Sequence, residues 1–149
     1  IESTVTISKN TWKHHADVET ILDPDLPPVY CLIDELRQVI LNMLVNSVHA
    51  IEEKKNFDTM DKGLITIKTK HQDDYCVIKI EDNGCGISEE NIKKIYDPFF
   101  TTKDVGKGTG QGLSIAHDII VNKHKGEISV ESEKNIGTIF IIKLKIEKQ

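Results

Sequence analysis

Residues 34 to 51, DELRQVILNMLVNSVHAI, constrain the architecture of this chain more than any other segment. Leu36, Val39, Ile40, Met43, Leu44, Val48 and Ile51 recur at helical spacing, and Asp34 stands where an N-cap belongs. An apolar stripe this broad has to be buried against another layer. The polar stretch from Glu52 to Lys62 ends the helix, and strand-like runs follow. Leu64 to Lys70 and Tyr75 to Asp82 flank a polar turn at Gln72-Asp73-Asp74, and Glu127 to Glu133 with Gly137 to Ile146 read as a closing hairpin. Asp17 to Leu22 reads as a further short strand, closed by turn signals at Asp23-Pro24-Asp25 and Pro27-Pro28. Ser88 caps a short helix to about Tyr96, with Glu89 and Glu90 in its first turn, and another helix runs from about Gln111 to His124 and stops at Gly126. Ile1 to His15 fits two patterns. Thr4-Val5-Thr6-Ile7 alternates like a strand, while Ile1, Val5, Ser8 and Trp12 share one helical face. Hairpin-paired strands with few, separate helices predict an α+β fold. It is a two-layer sandwich whose mixed, mostly antiparallel sheet is covered on one face by about three helices.

With 149 residues the chain suits one domain with a true core. Its 19 basic and 24 acidic residues leave a net charge of −5, which argues against a nucleic-acid partner but allows a local site for a phosphorylated ligand. Cys31, Cys76 and Cys85 are too scattered for a disulfide framework and form no C-x-x-C pair, so neither a zinc site nor an oxidising compartment is expected. No apolar run approaches the roughly 18 residues of a membrane span, and no membrane contact is expected.

Four segments carry chemistry. GKGTGQGLSIAHD, residues 106 to 118, sets Gly106, Gly108, Gly110 and Gly112 directly before helix-forming sequence. It fits either a flexible loop or a backbone surface that cradles phosphate at a helix N-terminus, and it matches neither a Walker A loop nor a dinucleotide fingerprint. EDNGCGISEE ends a strand at Asp82 and turns at Gly84 and Gly86. Asp-Asn-Gly is ordinary turn chemistry, yet an ionised carboxylate fixed at a pocket mouth also reads an exocyclic amine. In the long helix Asn42 and Asn46 lie one turn apart on one side, with His49 a further turn on. Such amides serve either as Mg²⁺ ligands or as core-edge groups bonded to backbone. In YDPFFTTKD, Phe99 and Phe100 are either core or the anchor of a closing loop.

Taken in order, these segments resemble the catalytic, ATP-binding domain of bacterial two-component sensor histidine kinases. LRQVILNMLVNSVHAI is similar to that family's N box, EDNGCGI to its G1 box, YDPFFTTK to its F box, GKGTGQGLS to its G2 box, and GTIFIIKL to its closing strand. The resemblance implies the Bergerat fold shared with gyrase B, Hsp90 and MutL. It also implies a helical N-terminal segment, with the family's usual first strand upstream of Ile1. By the same resemblance Asp82 accepts the adenine amino proton, Thr138 assists through a water, and Gly84 and Gly86 shape that end of the pocket. Asn46 ligates Mg²⁺, and Asn42 and His49 lie along the phosphates. Gly108, Thr109, Gly110, Gln111, Gly112 and Leu113 form the phosphate-side wall, Phe100 lies at the foot of the lid, and Lys103 contacts the γ-phosphate from it. Ser47 stands where the family usually has Ala, Lys125 where it often has the first glycine of a pair, and Lys145 where a proline often follows the last Leu. The lid between Phe100 and Gly108 is short.

The fold hosts hydrolases as well as kinases. In the gyrase, Hsp90 and MutL group a glutamate one turn before the Mg²⁺-binding Asn activates water. Here that position is Asn42, an amide that cannot take a proton, so the resemblance points to a histidine kinase, with Asn42 and Lys103 as the residues placed to act on the phosphates. None of His14, His15, His49, His71, His117 and His124 has the context of a phosphoacceptor. The expectation is therefore a single catalytic domain over residues 1–149, a fragment that binds ATP and Mg²⁺. Its partners are a separate dimerisation and phosphoacceptor domain and a downstream response regulator, and it is cytoplasmic even where the parent is membrane-anchored. An ATP-hydrolysing switch and a non-catalytic nucleotide-binding module are the alternatives.

Overall fold

The computed structural model describes residues 1–56, 62–97 and 112–147. Two short helices open the chain, α1 (Glu2–Ile7) and α2 (Lys9–Trp12), followed by β1 (Ala16–Ile21) and the long α3 (Ile33–Lys55). A hairpin of β2 (Gly63–Gln72) and β3 (Tyr75–Asp82) comes next, then α4 (Glu89–Ile92), α5 (Gly112–His117) with a π-helical extension over Asp118–Lys123, and a second hairpin of β4 (Glu127–Glu133) and β5 (Gly137–Lys145). The strands form one sheet in the order β1-β2-β3-β5-β4. β1 pairs with β2 in parallel across the connection that contains α3, and every other pairing is antiparallel. The mixed, mostly antiparallel sheet expected from the sequence is present.

The core lies between that sheet and α3. Val39, Ile40, Met43, Leu44, Val48 and Ile51 are buried against Ile65, Ile67, Ile78, Ile80, Phe140, Ile142 and Leu144. Period-3.6 spacing on the helix meets period-2 spacing on the strands, so each element turns one face inward. The approach is close at Gly63, where a Cβ would stand 2.5 Å from the Ile51 side chain. Ile119 and Ile120 of the π-helical extension and Ala116 of α5 complete the layer beside β4.

The N-terminal segment is helical, as the resemblance implies. Local β alternation over residues 4–7 loses because Ile1, Val5 and Trp12 then share a face against the core, and Trp12 Nε1 donates to the Val5 carbonyl at 3.2 Å. Ser88 is the N-cap of α4, its Oγ accepting from Asn91 N at 3.2 Å. Three expectations need correction. Asp34 is not the cap of α3: the helix begins at Ile33 behind Leu32, whose N–H donates to His124 Nε2 at 2.9 Å. That contact puts the ring proton on Nδ1, which faces the Ile119 carbonyl at 2.8 Å. α4 stops at Ile92 rather than reaching Tyr96. The helix before Gly126 does not stay α-helical, but widens from Asp118 onward.

Candidate functional site

β3 ends on Asp82, in register with Ile65 on β2 and Thr138 on β5. The side chain is 9% exposed, and its Oδ1 accepts the Gly84 N–H at 2.9 Å. Burial pushes its pKa from an ordinary 3.8 up to about 6. The Gly84 N–H, the Ser47 hydroxyl, the Thr138 backbone and the Lys54 charge all pull the other way. Ser47 acts from outside ordinary hydrogen-bond geometry, and its buried hydroxyl has no hydrogen-bond partner among the described residues. Lys54 Nζ donates to the Asn83 carbonyl at 3.2 Å. A carboxyl that burial makes costly to ionise therefore stands beside an orphaned hydroxyl, a setting that a polar ligand with its own N–H groups would satisfy.

The loop after Asp82 is held on both sides. Cys85 N donates to the Ala50 carbonyl at 3.0 Å, Asn135 N to the Cys85 carbonyl at 2.6 Å, and Leu64 N to Asn83 Oδ1 at 2.8 Å. Gly84 lies so near α3 that a Cβ would come within 2.6 Å of the Ala50 backbone. Gly86 has φ +72° and faces the Glu133 carbonyl, where a Cβ would overlap.

Along α3, Asn42, Asn46 and His49 form a half-buried stripe that ends beside Ala50. Asn42 Nδ2 donates to the Gly112 carbonyl at 3.2 Å, and its Oδ1 accepts from Gln38 Nε2 at 2.9 Å. The stripe thus runs from the first residue of α5 to the loop at Gly84. Leu113 packs half-buried on the core, and the Tyr96 ring lies 4.9 Å from that of His117, which holds the residues before Pro98 close to α5. The structure brings Asp82, Gly84, Gly86 and Thr138 to one end of this stripe and Asn42, Gly112 and Leu113 to the other. Phe100, Lys103, Gly108, Thr109, Gly110 and Gln111 lie outside the described residues.

Residues 31–148 match the histidine kinase-, DNA gyrase B-, and HSP90-like ATPase family. The chain belongs to that family. Within it the likeness is to sensor histidine kinases. Sporulation kinase E of Bacillus subtilis is 37% identical over 141 residues, covering 93% of this chain and 18% of the relative. Signal transduction histidine-protein kinase AtoS of Escherichia coli is 43% identical over 129 residues, covering 86% of this chain and 19% of the relative. The nucleotide-free catalytic domain of histidine kinase ThkA superposes with a TM-score of 0.80 at 29% identity, over 97% of this chain and 90% of that domain. The chain is thus a catalytic, ATP-binding domain of the histidine kinase type, and it spans about a fifth of the length of these two curated relatives. No helix among the described residues is long and apolar enough to cross a membrane.

Three residues to which the motif reading gives no role lie around Asp82 and Thr138. Ser47 faces Asp82 from α3. Gly137, at φ +153°, backs directly onto the Asp82 carbonyl, which a Cβ would strike. Ser132 on β4 bonds Thr138, Gly137 and Ile87 at once. A small residue in an N box is the only sequence signal for Ser47. The other two depend on β4–β5 register, which pairs Ser132 with Thr138.

Among the described residues no group of three His, Cys, Asp or Glu side chains converges on one point. Neutral amides such as Asn46 fit a Mg²⁺ that arrives on a phosphate and takes one protein oxygen, and they do not fit a metal held by the protein alone.

Proposed function

We propose that this domain holds Mg-ATP with the adenine at Asp82 and the phosphates along Asn42, Asn46 and His49, and presents the γ-phosphoryl to a histidine on a separate dimerisation domain. Residues 1–149 form one domain of a longer sensor kinase, working on the cytoplasmic side and feeding a response regulator. The observation that carries this reading is the buried, hydrogen-bonded Asp82 at the end of β3. Asp82 accepts the adenine amino proton while the Gly84 N–H keeps its other contact filled. Thr138 takes part through a water. Gly84 and Gly86 hold the loop against α3 and β4 so that the base slides past backbone alone. Asn46 offers its amide oxygen to Mg²⁺, which supplies charge neutralisation at the phosphates when bound. Gly108, Thr109, Gly110, Gln111, Gly112 and Leu113 line the phosphate side, with Phe100 and Lys103 on the lid.

A histidine nitrogen is already nucleophilic, so the domain has to position and stabilise rather than activate. Asn42 agrees with this. Its amide is committed to Gly112 and Gln38, and an amide accepts no proton from water at neutral pH. The hydrolase alternative lacks its base at this position.

The test is calorimetric titration of Mg-ATP into this domain and into Asp82→Asn, then labelling of a relative's dimerisation domain in trans with γ-labelled ATP. Binding weakened by about 100-fold in the variant and label on the acceptor histidine are expected. Equal binding by both proteins would overturn the assignment of Asp82. Tight binding without any transfer would favour the non-catalytic module.

A further inference from the structure

We propose that Ser132 on β4 is a positioning residue that fixes the direction of the Thr138 hydroxyl and thereby makes the pocket select a 6-amino over a 6-oxo purine. This rests on the reading of Asp82 as the adenine acceptor. The Ser132 hydroxyl has three neighbours: Ile87 N at 2.8 Å, the Gly137 carbonyl at 2.9 Å and Thr138 Oγ1 at 2.8 Å. A hydroxyl owns one proton and two lone pairs. The Ile87 N–H only donates, so it occupies one lone pair of Ser132. The Gly137 carbonyl only accepts, so it takes the Ser132 proton. Thr138 is then left to donate into the second lone pair. Its own proton is spent inside the protein.

The consequence reaches the pocket through register. Thr138 is 3% exposed and sits directly opposite Asp82 on the adjoining strand. With its proton turned toward Ser132, Thr138 Oγ1 offers lone pairs only, and ionised Asp82 offers lone pairs only. Whatever bridges the two must bring two hydrogens. An exocyclic amino group or a water does so, whereas an exocyclic oxygen brings none and leaves buried acceptors facing an acceptor. The same Ser132 hydroxyl pins Ile87, so the loop after Asp82 and the sense of Thr138 are set by one atom.

The test measures affinities for Mg-ADP and Mg-IDP, which differ at that exocyclic position and at the neighbouring N1 (an acceptor in ADP, an N–H in IDP), in the 149-residue chain and in three variants. Ser132→Ala frees the Thr138 hydroxyl to donate outward, so the ADP-to-IDP affinity ratio falls by about fivefold, the worth of one hydrogen bond. Ser132→Thr retains the hydroxyl and the ratio. Thr138→Val, which leaves Ile87 untouched, weakens ADP more than IDP, and it keeps the test open where Ser132→Ala fails to fold. Equal losses for both nucleotides in Ser132→Ala would reduce Ser132 to a loop anchor and overturn the proposal. A Thr138→Val change that weakens IDP more than ADP would reverse the sense of the hydroxyl and overturn it too. Absence of ADP binding by the parent chain would instead overturn the adenine reading beneath it.

Discussion

The two ends of the site use glycine for opposite reasons. At the Asp82 end, Gly84, Gly86 and Gly137 are imposed by the protein itself: a Cβ at any of them strikes backbone of α3, β4 or β3. At the other end, Gly112 has an ordinary helical conformation, and among the described residues the nearest atoms to a Cβ are those of Asn42 at 3.8 Å. The described residues leave room for a side chain there. Glycine at residues 84, 86 and 137 is therefore explained by what already stands inside, whereas no described residue imposes glycine at 112. The Asp82 end is built by packing, and the Gly112 end is the one proposed to face the phosphates.

Alanine substitution divides the two classes by sign. Gly86→Ala forces a side chain into a left-handed backbone and against the Glu133 carbonyl, and is expected to cost about 2–4 kcal/mol of stability in denaturant unfolding. Gly112→Ala relieves a helix of its glycine and is expected to gain up to ~1 kcal/mol while weakening Mg-ATP binding. Loss of stability in Gly112→Ala would erase the distinction.

Asp82→Asn separates function from stability at the packed end. An Asn has one acceptor. If that oxygen faces the Gly84 N–H, its NH₂ faces the adenine amino group, and if it is flipped the clash moves to Gly84. A drop in affinity of about 100-fold is expected. Stability moves the other way. With the pKa raised from 3.8 to about 6, the folded state binds this proton more tightly than the unfolded state. The Asp82 contribution is most favourable below pH 4, declines as pH rises through 4 to 6, and stays lost above. The neutral amide escapes that loss, so Asp82→Asn is expected to be more stable than its parent at pH 8 by up to about 3 kcal/mol, and the gap closes by pH 4. Chemical unfolding at the two pH values measures it.

Most of this architecture is legible in the sequence because it rests on period. Strand alternation locates β2 to β5 to within a residue or two, and the apolar stripe locates α3. The errors occur where a distant group settles a local question. Asp34 has every property of an N-cap, yet Leu32 meets His124, 92 residues away, and the helix starts one residue before Asp34. Nothing in DIIVNK announces that the turn widens to a π-helix, where His124 N reaches back to the Ile119 carbonyl. At the site, Asp82, Gly84 and Gly86 carry a readable motif, while Ser132 is an unremarkable serine in a polar strand until β4–β5 register sets it against Thr138. Composition and spacing report which residues face inward. They do not report which hydroxyl owns a proton.

The same carboxyl is expected to make nucleotide affinity depend on pH. Asp82 accepts best when ionised, and an adenine amino group at its side favours that form, lowering its pKa on binding. Affinity for Mg-ADP is expected to fall several-fold between pH 7.5 and 5, centred near 6, and to be flat in Asp82→Asn. Calorimetry across that range decides it, and an equally steep fall in the variant would move the titration to another group.

The smallest effect lies away from both ends, at the close of the π-helical turn. Lys125 sits at φ +55°, a conformation that costs a side chain about 1 kcal/mol and costs glycine nothing. Its neighbour Gly126 is a different case, because a Cβ there would overlap the Lys143 carbonyl, and Gly126 N must also reach the Ile120 carbonyl at 2.8 Å. Of this pair of positions, the second requires glycine by contact and the first prefers it by backbone conformation alone. Lys125→Gly is therefore expected to raise stability by roughly 0.5–1 kcal/mol, with Mg-ATP affinity unchanged since residue 125 lies off the stripe between Gly112 and Gly84. Thermal unfolding with a parallel nucleotide titration reads both quantities. A loss of stability would mean that the Lys125 side chain contributes more than its strained backbone costs. A change in affinity would show that the π-helical turn is mechanically joined to α5, and the open end of the pocket would then be tuned from the sheet side as well.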